Sequence, residues 1–414
     1  MSKEIKVLVV PDDNGGVAFH RMLRPHQMLH ELFGDEFDIE INMSPDWGDK
    51  EYFKKFDILN FHKGVFDDME NFRERIKEVR ERGGKVVMDI DDFWDVGQSH
   101  MLYHINKYSE SEKKTHENLR LVDYVTTTTD IFAKEIKKYN PNVVVFPNAI
   151  NPEEEQVKFN RKPSDRIRFG LVMGSSHQKD VQLLSGLMGQ LGNGILDKIQ
   201  IVLCGFDLNG TFLVYDENHN VIGERPMEAK DTAWVEYERE ITDNYKVLSP
   251  EYAQFLKKYL PQLQYPQVEN TCYRREWTKN VNTYLTHYDN IDILLVPLKN
   301  DRFNLFKSEL KFAEAGFKHC GVICSNCGPY TIGSKSIFQK GGILDKTGNC
   351  VLIDEPSRSK DWAKAIRRIV NNPELVPLLQ ENMYNHVLEN YDLRKVTEKR
   401  AAFYREIATE KKTL

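Results

Sequence analysis

Ile167-Arg168-Phe169-Gly170-Leu171-Val172-Met173 runs directly into Gly174-Ser175-Ser176-His177-Gln178-Lys179-Asp180. The first seven residues read as a buried strand. The next seven read as a Gly-Ser loop that enters a helix at about Lys179. The N-terminus has the same order of events: Lys6-Val7-Leu8-Val9-Val10, a glycine-containing loop over 11–16, then a helical segment over about 20–33. Pro25 is expected in or near the first turn of that helix, where its missing N–H does no harm. An apolar, β-branched run followed by a loop and a helix is the opening unit of a parallel sheet. Here it opens each half of the chain.

Outward from these two openings the alternation continues. In the first half Phe37-Asp38-Ile39-Glu40-Ile41, Phe56-Asp57-Ile58-Leu59-Asn60-Phe61, Lys85-Val86-Val87-Met88-Asp89-Ile90, Tyr124-Val125-Thr126-Thr127-Thr128 and Val143-Val144-Val145-Phe146 read as strands. Phe72, Ile76 and Val79 share one face of a helix that stops at Gly83-Gly84. Asp130 is expected to cap a helix over 131–138. In the second half the strands are 199–204, 291–296, 321–324 and 351–353, with helices over 308–317 and 362–370 between them. The fold class is therefore α/β, with two doubly wound Rossmann-like domains. Pro147-Asn148 and the polar stretch 151–165 read as a linker. The boundaries follow as 1–155 and 156–393, with a C-terminal helix over 394–414. A stretch over about 206–276 interrupts the second domain and reads as an insertion that begins with a hairpin around Asp216-Glu217-Asn218-His219-Asn220.

At 414 residues the chain has room for two hydrophobic cores. Its 40% hydrophobic and 29% charged residues exclude wholesale disorder. A net charge of -6 argues against a dedicated nucleic-acid binder. No apolar run approaches the ~20 residues of a membrane span, and the N-terminal run is too short for a signal peptide. The expected compartment is cytoplasmic. The six cysteines read as reduced thiols in and beside a buried strand. Cys324-Ser325-Asn326-Cys327 could begin a zinc site only with further ligands such as Cys350 or His319.

Several segments could carry chemistry. Asp89-Ile90-Asp91-Asp92 ends a strand; it could hold Mg²⁺ or Mn²⁺, or be an acid-rich loop. Asn14-Gly15-Gly16 precedes a helix, where backbone N–H groups can meet phosphate, although a plain turn would look the same. Gly174, Ser175 and Ser176, with His177 and Lys179 at the helix start, repeat that arrangement, and a lysine there can neutralise a departing diphosphate. His20, His26 and His30 lack an H-E-x-x-H pattern and read as packing or surface residues. Trp94, Trp234 and Trp277 read as core or interface residues. Lys307, Lys311 and Glu314 fall at i, i+4, i+7 and would line one helix face at the carboxyl edge of the sheet.

Together these segments resemble a retaining glycosyltransferase of the GT-B fold, in the group often called glycosyl transferases group 1. Pro147-Asn148-Ala149-Ile150-Asn151 resembles that group's P-N-G-I-D stretch, and Gly174 to Asp180 a G-S-x-x-H-x-x-D donor loop. Phe303-Asn304, Lys307-Ser308, Lys311, Glu314, Gly316 and Gly328-Pro329-Tyr330 resemble its donor-site helix and loop. Gly15-Gly16 with Arg21 resembles its N-terminal glycine loop, and 57–62 the strand whose last residue, His62, lies near the donor sugar. Two positions depart from the pattern: Phe306 stands where the first Glu of E-x7-E falls, and Ser175 where an arginine is common.

The resemblance implies two domains facing a cleft, with the C-terminal helix packing back on the first. It implies a UDP- or GDP-linked sugar donor and no further cofactor or metal. The acceptor would be a glycan, a lipid-linked compound, a protein or DNA. It assigns Lys179 and His62 to catalysis. It assigns Gly15, Gly16, Gly174, Ser175, His177, Asn304, Lys307, Ser308, Lys311 and Glu314 to donor binding, with Glu314 on the ribose. A GT-B epimerase and a non-catalytic nucleotide-sugar-binding scaffold are the alternatives. A phosphorylase of this fold would need pyridoxal phosphate, for which no lysine here stands out.

Overall fold

The computed structural model describes residues 4–65, 69–98, 103–207, 211–217, 221–227, 232–248 and 271–410. The chain forms two compact units. The first comprises Met1–Glu153, Asp301–Ala313 and Leu388–Leu414; the second comprises Glu154–Asn300 and Glu314–Val387.

The first unit is built on six parallel strands: β1 (Ile5–Val10), β2 (Phe37–Ile41), β3 (Ile58–His62), β4 (Lys85–Ile90), β5 (Tyr124–Thr127) and β6 (Val143–Val145). Their order is β2-β1-β3-β4-β5-β6. Alternation along β1 feeds both faces of the sheet. Leu8 and Val10 join Leu59, Phe61, Phe72 and Ile76 in one core. Val7 and Val9 join Met22, Leu29, Phe37 and Tyr404 in the other.

The first helical run starts earlier than its sequence suggests, at Gly16, and continues to Phe33. Pro25 therefore lies inside it. The segment Phe19–Leu23 is π-helical, with Arg24 N–H donating to the Phe19 carbonyl. The wider turn accommodates a residue that has no N–H and would crowd the carbonyl four residues back. The His26 ring meets the Met22 carbonyl through Nδ1 at 2.5 Å. Thr129, rather than Asp130, caps the helix Asp130–Ile136: its hydroxyl accepts from Phe132 N–H at 3.1 Å, which puts Asp130 in the first turn.

The C-terminal helix Leu393–Thr409 packs on the first-unit helix Arg24–Phe33. Tyr404 is its buried anchor. The hydroxyl lies 2.8 Å from His26 Nε2 and accepts from Asn60 Nδ2 at 2.8 Å. Burial and the neighbouring Arg400 push the His26 pKa down to about 3, so the ring is neutral at ordinary pH. The end of this helix as read from sequence, 411–414, lies outside the described residues.

The second unit holds another parallel sheet, of β7 (Ile167–Val172), β8 (Ile199–Phe206), β11 (Tyr273–Trp277), β12 (Ile293–Val296), β13 (Gly321–Ser325) and β14 (Val351–Ile353). Its order is β11-β8-β7-β12-β13-β14. Strands β9 (Thr211–Tyr215) and β10 (Val221–Pro226) pair apart from it as the expected antiparallel hairpin. The hairpin tip 218–220 and residues 249–270 of the expected insertion lie outside the described residues. Residues 208–210 and 228–231 lie outside them as well; of the described part, helix Ala233–Leu248 packs on the helix Leu187–Leu191 and β11 pairs along β8. The strand escapes a hydrophobic pattern because Arg274, Arg275 and Glu276 are buried as ion pairs. Arg275 pairs with Glu238, and Arg274 with Glu276 at 3.1 Å.

The helix expected over 308–317 is shorter. A turn, Arg302–Leu305, capped by Asp301, precedes a helix that begins only at Leu310. Phe306 breaks the run by burying its ring against Phe93 and Phe132, at centroid distances of 4.6 and 5.3 Å. Lys307 is therefore not helical, and the three-residue face expected from Lys307, Lys311 and Glu314 does not form. Among the described residues no helix is long and apolar enough to cross a membrane.

Tyr404→Phe strips a buried imidazole and a buried amide of their shared partner. It should destabilise the first unit by about 1–3 kcal/mol. Urea unfolding read by a probe in that unit should show a lower midpoint at an unchanged slope.

Candidate functional site

A parallel sheet opens a crevice where consecutive connections leave in opposite directions. In the second unit this point lies between β7 and β12. The loop after β7 is Gly174–His177, and the loop after β12 spans 297–300. Asp180 fastens the two. It is buried, with Oδ2 2.7 Å from His177 Nδ1 and Oδ1 accepting from Lys299 N–H at 2.7 Å. Tyr237, on helix Ala233–Leu248, holds the loop from the other side. Its hydroxyl donates to the Gly174 carbonyl at 2.9 Å and accepts from His177 N–H at 3.1 Å. Burial raises the Tyr237 pKa, so the phenol keeps its proton. Gly174 and Ser175 face solvent, and His177 and Lys179 are half-buried at the start of the helix Gln178–Val181. The loop can offer backbone N–H groups, two serine hydroxyls and a lysine ammonium to an anion.

In the first unit the corresponding point lies between β1 and β3. Here Asp12, Gly15 and Gly16 follow β1, and His62 ends β3. His62 is buried, with Nδ1 2.7 Å from Asp12 and Nε2 3.3 Å from Asp91. Burial alone would lower the imidazole pKa. The two carboxylates overcome it and hold the pKa up at about 9, so His62 is a cation at neutral pH. Lys63 lies 3.2 Å from Asp91. Against its burial, Asp91 is kept well below the usual carboxylate range by Lys63 and His62. Gly64 leaves room beside this group: a Cβ there would collide with the Asp12 side chain and force it to move. Gly15 N–H donates to Asp13 Oδ1 at 2.8 Å, and nothing lies within 4 Å of where a Cβ on Gly16 would sit.

The segment 301–313 also belongs to the first unit. Asn304 is buried and donates its N–H to Asp301 at 2.9 Å. The Lys307 ammonium sits 4.9 Å from the Phe303 ring centre. Ser308 Oγ accepts from Asn148 Nδ2 at 2.9 Å, which joins it to the Pro147-Asn148 turn. Asn148 Oδ1 in turn accepts from Arg21 at 3.2 Å. Lys311 is half-buried one turn before Glu314. Glu314 is in the second unit and is buried, with Oε2 accepting from the Tyr288 hydroxyl at 2.5 Å.

The acidic pair at the end of β4, Asp89 in the strand and Asp91 just after it, is split between different partners. Asp89 accepts both arms of the Arg21 fork, at 2.9 and 2.7 Å, and the Thr126 hydroxyl at 2.6 Å. Asp91 belongs to the His62 group. Among the described residues, Cys204, Glu276 and His287 could offer three ligand atoms to a metal. Glu276 is already engaged by Arg274, by Asn290 at 2.5 Å and by His287 at 3.2 Å. Those three partners hold the Glu276 carboxylate in a buried polar cluster. Of the three tryptophans singled out, Trp94 is buried and Trp234 half-buried, whereas Trp277 is exposed.

Asp12 and Tyr237 stand out in the structure but not in the sequence, where Asp91 reads only as part of a possible metal motif and Asp180 only as the last residue of the donor loop. Asp180 follows His177 by three residues, the spacing of a local histidine–carboxylate pair, and was legible in principle. Tyr237 lies in a stretch rich in aromatic and charged residues and carries no local signal.

No protein-family model matches the chain, and no curated protein sequence matches it. Solved structures do. HepE from Anabaena, in complex with UDP, superposes with a TM-score of 0.59 at 10% identity, over 98% of this chain and 100% of that one. A glycosyltransferase from Rickettsia africae gives 0.59 at 12% identity, over 99% and 100%. A UDP-forming α,α-trehalose-phosphate synthase from Burkholderia xenovorans gives 0.55 at 12% identity, over 98% and 100%. At these identities the likeness is one of fold, and the fold is GT-B, with two Rossmann-like sheets.

The His62 charge makes stability depend on pH. The folded pKa lies above the ordinary imidazole value of 6.5, so the stabilisation is complete below pH 6.5 and is lost as pH rises to about 9. Over that window the wild type should lose up to about 3 kcal/mol. His62→Gln should remove this slope. Urea unfolding at a series of pH values checks it; parallel profiles would show that His62 carries no such charge.

Proposed function

We propose that this protein is a retaining glycosyltransferase that moves a sugar from a UDP- or GDP-linked donor to an acceptor hydroxyl without using a metal ion. The observation that carries the reading is the loop Gly174–His177, with Lys179 behind it. It is exposed, rich in donors and set at the switch point of the second sheet, in a fold shared with proteins solved with UDP.

On this reading Gly174, Ser175 and His177 receive the diphosphate. Glu314, oriented by Tyr288, accepts hydrogen bonds from adjacent ribose hydroxyls. Asn304, Lys307, Ser308 and Lys311 supply further polar contacts and cations to the donor. As the bond from the sugar's anomeric carbon to the phosphate oxygen breaks, negative charge gathers on the leaving diphosphate. Lys179 neutralises it as a fixed cation, where a D-x-D enzyme would use a metal. The acceptor oxygen bonds to the same face of the sugar, and its proton passes to the released phosphate oxygen. No covalent enzyme intermediate is needed. Gly15, Gly16 and His62 act from the first unit. His62 acts through its charge rather than as a base, since a protonated ring cannot take a proton.

The direct test is calorimetric titration and a thermal-shift screen with UDP, GDP and their sugars. A bound diphosphate should raise the melting temperature by mass action. Turnover of the preferred donor, assayed with glycan, lipid-linked, protein and DNA acceptors, should survive a chelator. Loss of activity in chelator, restored by Mn²⁺, would overturn the metal-free mechanism.

Lys179→Ala should lower the rate constant by ~10²–10³ while changing donor affinity much less, because the contact matters most as charge develops. Steady-state kinetics with the preferred donor would show this split. An unchanged rate constant would move the role to Lys307 or Lys311.

A further inference from the structure

We infer that helix Ala233–Leu248 is the element that shapes the nucleotide loop, and that Tyr237 is its positioning residue. This inference rests on the donor-site reading above.

The helix is fastened on two sides. Toward the sheet edge, buried Glu238 pairs with Arg275 and accepts from the Tyr273 hydroxyl at 2.7 Å. Toward the loops, Trp234 Nε1 donates to the Cys204 carbonyl at 2.8 Å. Its ring fills the space beside Gly205, where a Cβ would collide with it and the backbone turns at φ 111°. The Glu240 carbonyl accepts from Gly186 N–H at 2.6 Å, and its carboxylate from Ser185. Gln178, in the helix after the nucleotide loop, donates to Glu236 at 2.6 Å. Trp234 and Tyr237 fall at i, i+3 and so share a face of the helix.

Tyr237 makes the contact that bears on an anion. One hydroxyl satisfies both a carbonyl and an N–H of the loop, at Gly174 and His177. A phenol can donate and accept at once, which phenylalanine cannot. Nothing lies within 4 Å of where a Cβ on Gly174 would sit, and glycine is the residue whose backbone is least restricted by its own sterics. Rotation about this glycine would release its carbonyl oxygen, a partial negative charge, into the loop that is to accept an anion. The Tyr237 hydroxyl holds that oxygen and thereby keeps the loop in its anion-accepting form before a ligand arrives.

The test is Tyr237→Phe, titrated with UDP by calorimetry beside the wild type. Hydrogen exchange of the His177 amide is followed in both proteins. The expected result is a dissociation constant for UDP about tenfold higher, a cooperative melt retained, and faster His177 exchange in the variant. Equal dissociation constants in wild type and variant would overturn the inference alone. Failure of the wild type to bind UDP or GDP would overturn the donor-site reading, and the inference with it. If Tyr237→Phe does not fold, Glu236→Ala, which cuts the exposed bond to Gln178, takes its place. It should weaken UDP binding by a smaller factor, and unchanged binding there also overturns the inference.

Discussion

The Arg21 guanidinium and the Asp89 carboxylate meet inside the first unit, with both side chains almost wholly out of water. Removing two charges from solvent is costly, and only complete pairing makes it tolerable. That requirement organises the surroundings. Arg21 spends two donors on Asp89, one on the Phe146 carbonyl and Asn148. The Thr126 hydroxyl gives the carboxylate a third hydrogen bond. Asn148 then hands its own amide to Ser308. One ion pair thus fixes the end of β4, the start of the first helix, the Pro147-Asn148 turn and a segment from far along the chain. The same commitment leaves Asp89 with little to offer a divalent cation.

The two sheets solve one geometric problem with different chemistry. Each opens a crevice where its connections diverge, and in each a carboxylate beside a histidine stabilises the opening. In the first unit the groups are charged throughout: Asp12, His62, Lys63 and Asp91 neutralise one another, with His62 and Asp91 buried beneath the more exposed Asp12 and Lys63. In the second, Asp180 orients His177 and pins a backbone N–H from the neighbouring loop. Tyr237 completes that arrangement with a neutral hydroxyl, and the mouth of the loop stays exposed.

The strands were legible because parallel strands covered on both faces must be apolar almost throughout, and β1, β7, β8 and β12 are. β11 was illegible for a specific reason: its arginines and glutamate cancel in pairs, so burial left no hydrophobic trace. The extent of the 308–317 helix was overestimated because periodicity cannot tell that Phe306 will leave the helix to fill a core. The candidate loops were visible as glycine and hydroxyl residues at strand ends. Their supports were not, since Lys299 and Tyr237 reach them only through the fold. The helix through Pro25 was misjudged because a π turn has no signature beyond the proline it accommodates.

The anchor at Tyr404 joins residues 378 positions apart in sequence, counted from His26. The first unit therefore contains both early and late parts of the chain, whereas the second is drawn entirely from what lies between. During synthesis the first sheet emerges long before the helix that covers one of its faces. The second unit can close as soon as residue 387 is free. Contacts of such separation carry a large loop-closure cost and form late. Folding on the ribosome is then expected to run against chain order, with the unit encoded second finished first and the N-terminal sheet left to wait with one apolar face uncovered.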